Sequence, residues 1–94
     1  MHTADQTEIG EIGTRVLALL EKRFGDAARS LAPDADLSDA LPGFDSLAAL
    51  EYVTAVEGEF GFEVDFVGDD VRYWFSTLVR TAEYVRERVE DQAA

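Results

Sequence analysis

The chain has 94 residues, enough for one modest hydrophobic core and too few for two. Hydrophobic residues make up 47% of it, which excludes a disordered acidic tail despite a net charge of −12, and the absence of cysteine excludes disulfides, thiol nucleophiles and thiolate metal sites. No apolar run approaches the roughly eighteen residues of a membrane span, and residues 1–6 lack the basic start and apolar run of a signal peptide, so the expectation is one cytoplasmic domain over 1–94 with an ordered core over about 7–90.

In chain order, Ile9, Ile12, Val16, Leu19, Leu20 and Phe24 mark one face of an amphipathic first helix over about residues 8–24, stopped by Gly25. Residues 26–45 then read as a long connection, with Pro33 and Pro42 as punctuation and a possible extra turn at 26–30. A structureless loop of about twenty residues is unusual in a compact domain, so Leu31, Leu37 and Leu41 are expected to pin it to the core. The second helix runs from Ser46 to Phe60, with Leu47, Leu50, Val53 and Val56 on overlapping apolar faces and Glu51, Glu57 and Glu59 in water. Gly61 is its stop.

Residues 62–67 alternate like a strand, but a lone strand has nothing to pair with, so the expectation is a packed connector. A short third helix is expected within residues 69–75, with two acids at its start. Ser76 or Thr77 caps the last helix, on which Leu78, Ala82, Val85 and Val89 recur at helical spacing, and the tail after Glu90 is expected to fray. The predicted fold is all-α: a small four-helix bundle of three long helices and one short one, with a long loop between the first two.

Charge is segregated along the chain. Residues 30–71 hold eleven acids and no Lys or Arg, leaving −11 of the −12 there; the eight basic residues outside nearly balance the other nine acids. Such a field repels nucleic acid and anionic lipid and attracts basic protein surfaces, or serves solubility alone.

Chemistry concentrates at Gly43-Phe44-Asp45-Ser46-Leu47, where a turn delivers Ser46 to a helix start. Unpaired N–H groups and the positive end of the helix dipole favour an attached phosphate there, but Asp45-Ser46 is also an ordinary helix cap, and both readings stand on these residues. No catalytic constellation assembles, because the sole histidine, His2, lies at the terminus. Residues 34–45 place Asp34, Asp36 and Ser38 as in a calcium loop, but Asp39 replaces the required Gly and Asp45 the bidentate Glu, so no metal site is assigned. The aromatic residues Phe60, Phe62, Phe66, Tyr73, Trp74 and Phe75 read as core and lid, with shelter for an apolar ligand as the functional version.

The run Leu41-Pro42-Gly43-Phe44-Asp45-Ser46-Leu47-Ala48-Ala49-Leu50-Glu51, followed by Glu57-Gly58-Glu59-Phe60-Gly61-Phe62-Glu63-Val64, resembles an acyl carrier protein, as do Phe75-Ser76-Thr77-Leu78 and Ala82-Glu83-Tyr84-Val85. The resemblance implies that Ser46 carries a covalent 4′-phosphopantetheine from coenzyme A, installed by a phosphopantetheinyl transferase that recognises Asp45 and Leu47. It implies acyl or aminoacyl thioesters on that arm, and a docking face of Leu50, Glu51, Thr54, Glu57 and Glu59 for activating ligases, acyltransferases or synthases with basic patches. As a carrier the chain is expected not to be an enzyme itself, and a monomer is the default expectation. The alternative from another class is an unmodified helical interaction module that keeps the carrier fold.

Two departures qualify the match. Gly58 stands where many members have an acid, and residues 65–75 are longer and more aromatic than in the carriers of fatty acid synthesis. A dedicated bacterial carrier of polyketide, nonribosomal-peptide or exopolysaccharide-associated chemistry is therefore expected over a housekeeping one.

Overall fold

In the computed structural model, which describes residues 10–93, the chain forms α1 (Gly10–Phe24), α2 (Asp26–Arg29), α3 (Leu37–Ala40), α4 (Ser46–Phe60), α5 (Val71–Trp74) and α6 (Leu78–Ala93), with no strand among the described residues. The expected helix start at residue 8, the core start at residue 7 and His2 lie outside the described residues. The three long helices are α1, α4 and α6, and α1 packs against both of the others. The all-helical bundle is the one the sequence implies, with the extra turn at 26–30 formed as α2 and with α3 as a further single-turn helix that the sequence pattern does not place.

Each long helix contributes an apolar face to one core. Val16 and Leu20 come from α1, Tyr52, Val53 and Val56 from α4, and Leu78 and Val85 from α6, all buried. Full burial of each Leu or Val side chain contributes about 1.5–3 kcal/mol relative to exposure. The long connection is pinned as expected: Leu37 and Leu41 are fully buried and Leu31 packs against the core. It is not structureless, because α2 and α3 lie within it. Its backbone is also tied to the start of α6, where Leu37 N–H donates to the Ser76 carbonyl at 2.9 Å and Val79 N–H to the Pro33 carbonyl at 3.0 Å.

Residues 62–67 form the packed connector, with Phe62 and Val64 buried and their neighbours exposed. Three side chains hold down this segment and the turn that follows it. Glu57 Oε2 accepts from Val64 N–H at 2.7 Å, Arg88 donates to the Glu63 carbonyl at 2.8 Å, and Tyr84 OH donates to Asp69 Oδ2 at 2.7 Å. Burial, reinforced by that bond and by the Asp69 charge, pushes the Tyr84 phenol up to about 12.

The expected cap of α6 is resolved in favour of Thr77, whose Oγ1 accepts from Arg80 N–H at 3.1 Å, while Ser76 Oγ donates to the Tyr73 carbonyl. α6 runs to Ala93, past the Glu90 at which the sequence reading ends the firm helix. The aromatic cluster divides between core and surface: Phe62 and Phe75 are buried, while Phe66, on the turn before α5, and Tyr73, with Arg80 stacked over its ring, are about half exposed.

Candidate functional site

The turn before α4 separates two roles that the sequence left entangled. Gly43, at φ 82°, provides the left-handed residue that reverses the chain after Leu41 and Pro42. Asp45 then stands as the N-cap of α4, its Oδ1 accepting from Ala48 N–H at 2.9 Å. Ser46 is the first helical residue; it is exposed, and its hydroxyl makes no hydrogen bond among the described residues. The cap is supplied by the neighbour, so the serine hydroxyl is available for chemistry.

The fifteen-residue α4 points the positive end of its dipole at this hydroxyl, which favours a phosphate ester there by about 0.3–1 kcal/mol. Its other end is closed by Gly61 in the left-handed conformation, with the Gly61 N–H donating to the Glu57 carbonyl at 2.9 Å. Beside Ser46 opens a groove of about 700 Å³ between α4 and the α3 and α5 turns, walled by Leu37, Phe44, Leu50, Val53 and Phe75 and flanked by Phe66 and Arg72. That volume lies within the range of small-ligand pockets.

The near-calcium segment is occupied by other bonds. Asp36 caps α3 and accepts from both the hydroxyl and the N–H of Ser38, which hold its carboxyl below the usual carboxylate range. Among the described residues no group of three or more acidic or histidine side chains is placed to hold a metal ion.

The structure divides the residues singled out around the serine. Leu47 and Leu50 are 61% and 51% exposed, so they are not the core positions that the apolar spacing suggests. The buried face of α4 is instead Ala48, Tyr52, Val53 and Val56. Leu47, Leu50, Glu51 and Thr54 share one exposed stripe running away from Ser46. Glu51 pairs with Arg23 of α1, and Glu59 with Arg15 at 2.8 Å. Glu57 is half-buried, because its carboxylate serves the connector.

Tyr52 is the residue that sequence reasoning missed. Its ring lies between Phe44 and Phe75, with centroids at 6.0 and 5.7 Å, and its hydroxyl donates to Thr81 Oγ1 of α6 at 2.8 Å. Burial pushes its phenol well above the ordinary value, against the opposing effect of that hydrogen bond.

With a free serine at a helix start beside a ligand-sized groove, the site has the form of a prosthetic-group attachment point. Residues 14–85 match the family model described as "Phosphopantetheine attachment site". The chain belongs to this phosphopantetheine-bearing family, that of the acyl carrier proteins. It is 34% identical over 79 residues to Acyl carrier protein 2 of Pseudomonas aeruginosa, a match that covers 84% of this chain and 95% of the relative. No solved structure gives a significant match. The chain is thus a carrier protein whose prosthetic group is 4′-phosphopantetheine. Among the described residues no helix is long and apolar enough to cross a membrane.

Proposed function

We propose that Ser46 is the attachment residue, and that the chain is a monomeric cytoplasmic carrier of acyl or aminoacyl groups, not itself an enzyme, serving a specialised bacterial pathway. The observation that carries this reading is the division of labour at the start of α4, where Asp45 holds the cap and leaves the Ser46 hydroxyl exposed and unbonded. In the loading step, Ser46 Oγ forms a bond to the pantetheine-side phosphorus of coenzyme A as the phosphoanhydride breaks and 3′,5′-ADP leaves, and the hydroxyl proton passes to a base of the transferase. The N–H groups at the start of α4 favour the resulting diester, while Asp45 and Leu47, on either side, mark the site for the transferase.

When bound, the arm supplies the terminal thiol, and hence the thioester link, that a chain without cysteine lacks. The protein's residues contribute shelter and address. The groove beside Ser46 excludes water from a folded-back cargo along Leu37, Phe44, Val53 and Phe75. The stripe Leu47, Leu50, Glu51 and Thr54 offers apolar contact and charge to a ligase, acyltransferase or synthase with a basic patch, and Glu57 and Glu59 add negative potential while holding their own chain together.

Incubation with coenzyme A and a promiscuous phosphopantetheinyl transferase is expected to add one phosphopantetheine to the intact mass of the wild type and none to Ser46→Ala. A wild type that stays unmodified while a control carrier is loaded would count against the proposal. Modification of Ser46→Ala would move the attachment elsewhere.

A further inference from the structure

The groove beside Ser46 is apolar along most of its wall, and most of its polar side chains are already engaged. Asp36 accepts from Ser38, Asp45 caps α4, and Ser76 Oγ donates to the Tyr73 carbonyl while accepting from Arg80 at 3.0 Å. Ser46 and Arg72 are the exceptions. Arg72, on α5, is the one cation among the described lining residues, and no hydrogen bond, ion pair or ring contact engages it among the described residues. Five other arginines, Arg15, Arg23, Arg29, Arg80 and Arg88, each hold a carboxylate, a carbonyl, a hydroxyl or a ring, whereas Arg86 is as unengaged as Arg72 but lies on α6 outside the groove.

We propose that Arg72 makes this groove selective for an acyl chain that carries an oxygen acceptor away from its thioester, a terminal carboxylate above all, rather than for a plain saturated chain. The inference rests on the carrier reading and names the cargo class of that site. A guanidinium must keep its donors hydrated or paired, and an alkyl chain lying along the groove displaces water from it without offering an acceptor. A carboxylate offers two acceptor oxygens in the geometry that a guanidinium matches, and it replaces the displaced water with charge-assisted hydrogen bonds. The surrounding field sharpens the choice. With Asp36 and Asp45 also lining the groove, Arg72 is the one lining side chain whose charge attracts an anionic cargo. Discrimination of this kind comes from a polar group that the wrong ligand leaves unpaired.

The test uses the whole chain loaded on Ser46 with octanoyl- or 7-carboxyheptanoyl-phosphopantetheine, from the corresponding coenzyme A thioesters. Wild type, Arg72→Gln and Arg86→Gln are compared, the last removing the same charge from an exposed position on α6 outside the groove. Loading is read by intact mass, and shelter by the rate of thioester cleavage by hydroxylamine relative to the free pantetheine thioester. In the wild type the carboxylated cargo is expected to be cleaved about three- to tenfold more slowly than octanoyl, the range of one partly screened charged hydrogen bond. Arg72→Gln abolishes that difference and Arg86→Gln preserves it. Equal cleavage of the two cargoes in the wild type, or loss of the difference in Arg86→Gln as well, would overturn the proposal while leaving the carrier reading intact. A chain that accepts no arm at all would overturn the carrier reading first.

Discussion

At the scale of single residues, α4 shows how one helix can serve a core and a second surface at once. The spacing of Leu47, Leu50, Val53 and Val56 is helical, but so is that of Ala48, Tyr52, Val53 and Val56, and the core takes the second series. Apolar content favours Leu47 and Leu50, so sequence alone places Val53 and Val56 correctly in the core and misplaces the two leucines. Only packing against α6 reveals that a tyrosine fits, because its ring meets Phe75 and its hydroxyl reaches Thr81, which in turn donates to the Thr77 carbonyl at 2.9 Å. The signal that was legible is an excess of apolar residues beyond what one face needs, which is the mark of a helix with two uses. Tyr52→Phe keeps the ring and removes one buried hydrogen bond, so it is expected to lower unfolding stability by about 1 kcal/mol with an unchanged m-value in urea. A change within a few tenths of a kcal/mol would mean that the Tyr52–Thr81 bond contributes nothing net.

At the scale of elements, the long helices and their stops were readable from periodicity and from Gly25 and Gly61, and α4 has the expected bounds. The short turns were harder. α3 depends on Asp36 as a cap and on Leu37 reaching both the core and the Ser76 carbonyl, about forty positions away, a pairing that no local window contains. The connector and α5 depend likewise on α6, through Tyr84, Arg88 and Asp69. That dependence has a pH signature. The Tyr84 phenol lies at about 12 in the folded chain, above its ordinary value of 10.0, so the folded state holds this proton more tightly than the unfolded one. Its contribution is fully present below about pH 10 and is lost as pH rises toward 12. Urea midpoints measured from pH 9 upward should fall more steeply for wild type than for Tyr84→Phe. Parallel profiles would show that the tyrosine does not couple the connector to α6 in this way.

At the scale of the whole molecule, the charge segregation of the sequence becomes a surface with its own internal partners. The acidic segment 30–71 is met by basic residues from α1 and α6, with Glu51 on Arg23, Glu59 on Arg15 and Asp69 near Arg88 at 3.6 Å. Exposed pairs of this kind contribute about 0–1 kcal/mol to stability, so their loss should hardly disturb folding. Their effect on association is larger, because steering responds to the summed field rather than to one contact. Glu51→Lys reverses a charge on the proposed docking stripe and leaves Arg23 facing a like charge. Its kcat/KM as a substrate of the transferase is expected to fall about three- to tenfold at low salt and to converge on wild type near 0.5 M salt, where charges more than about 4 Å apart are screened. Glu83→Lys, the same reversal at an exposed position on α6 outside the acidic segment, should produce a smaller loss. If both variants lose equally, net charge governs the encounter and the stripe has no special role; if the Glu51→Lys loss persists at high salt, the residue acts by direct contact. The outcome expected of a steering surface is a loss that is local to the stripe and disappears with salt.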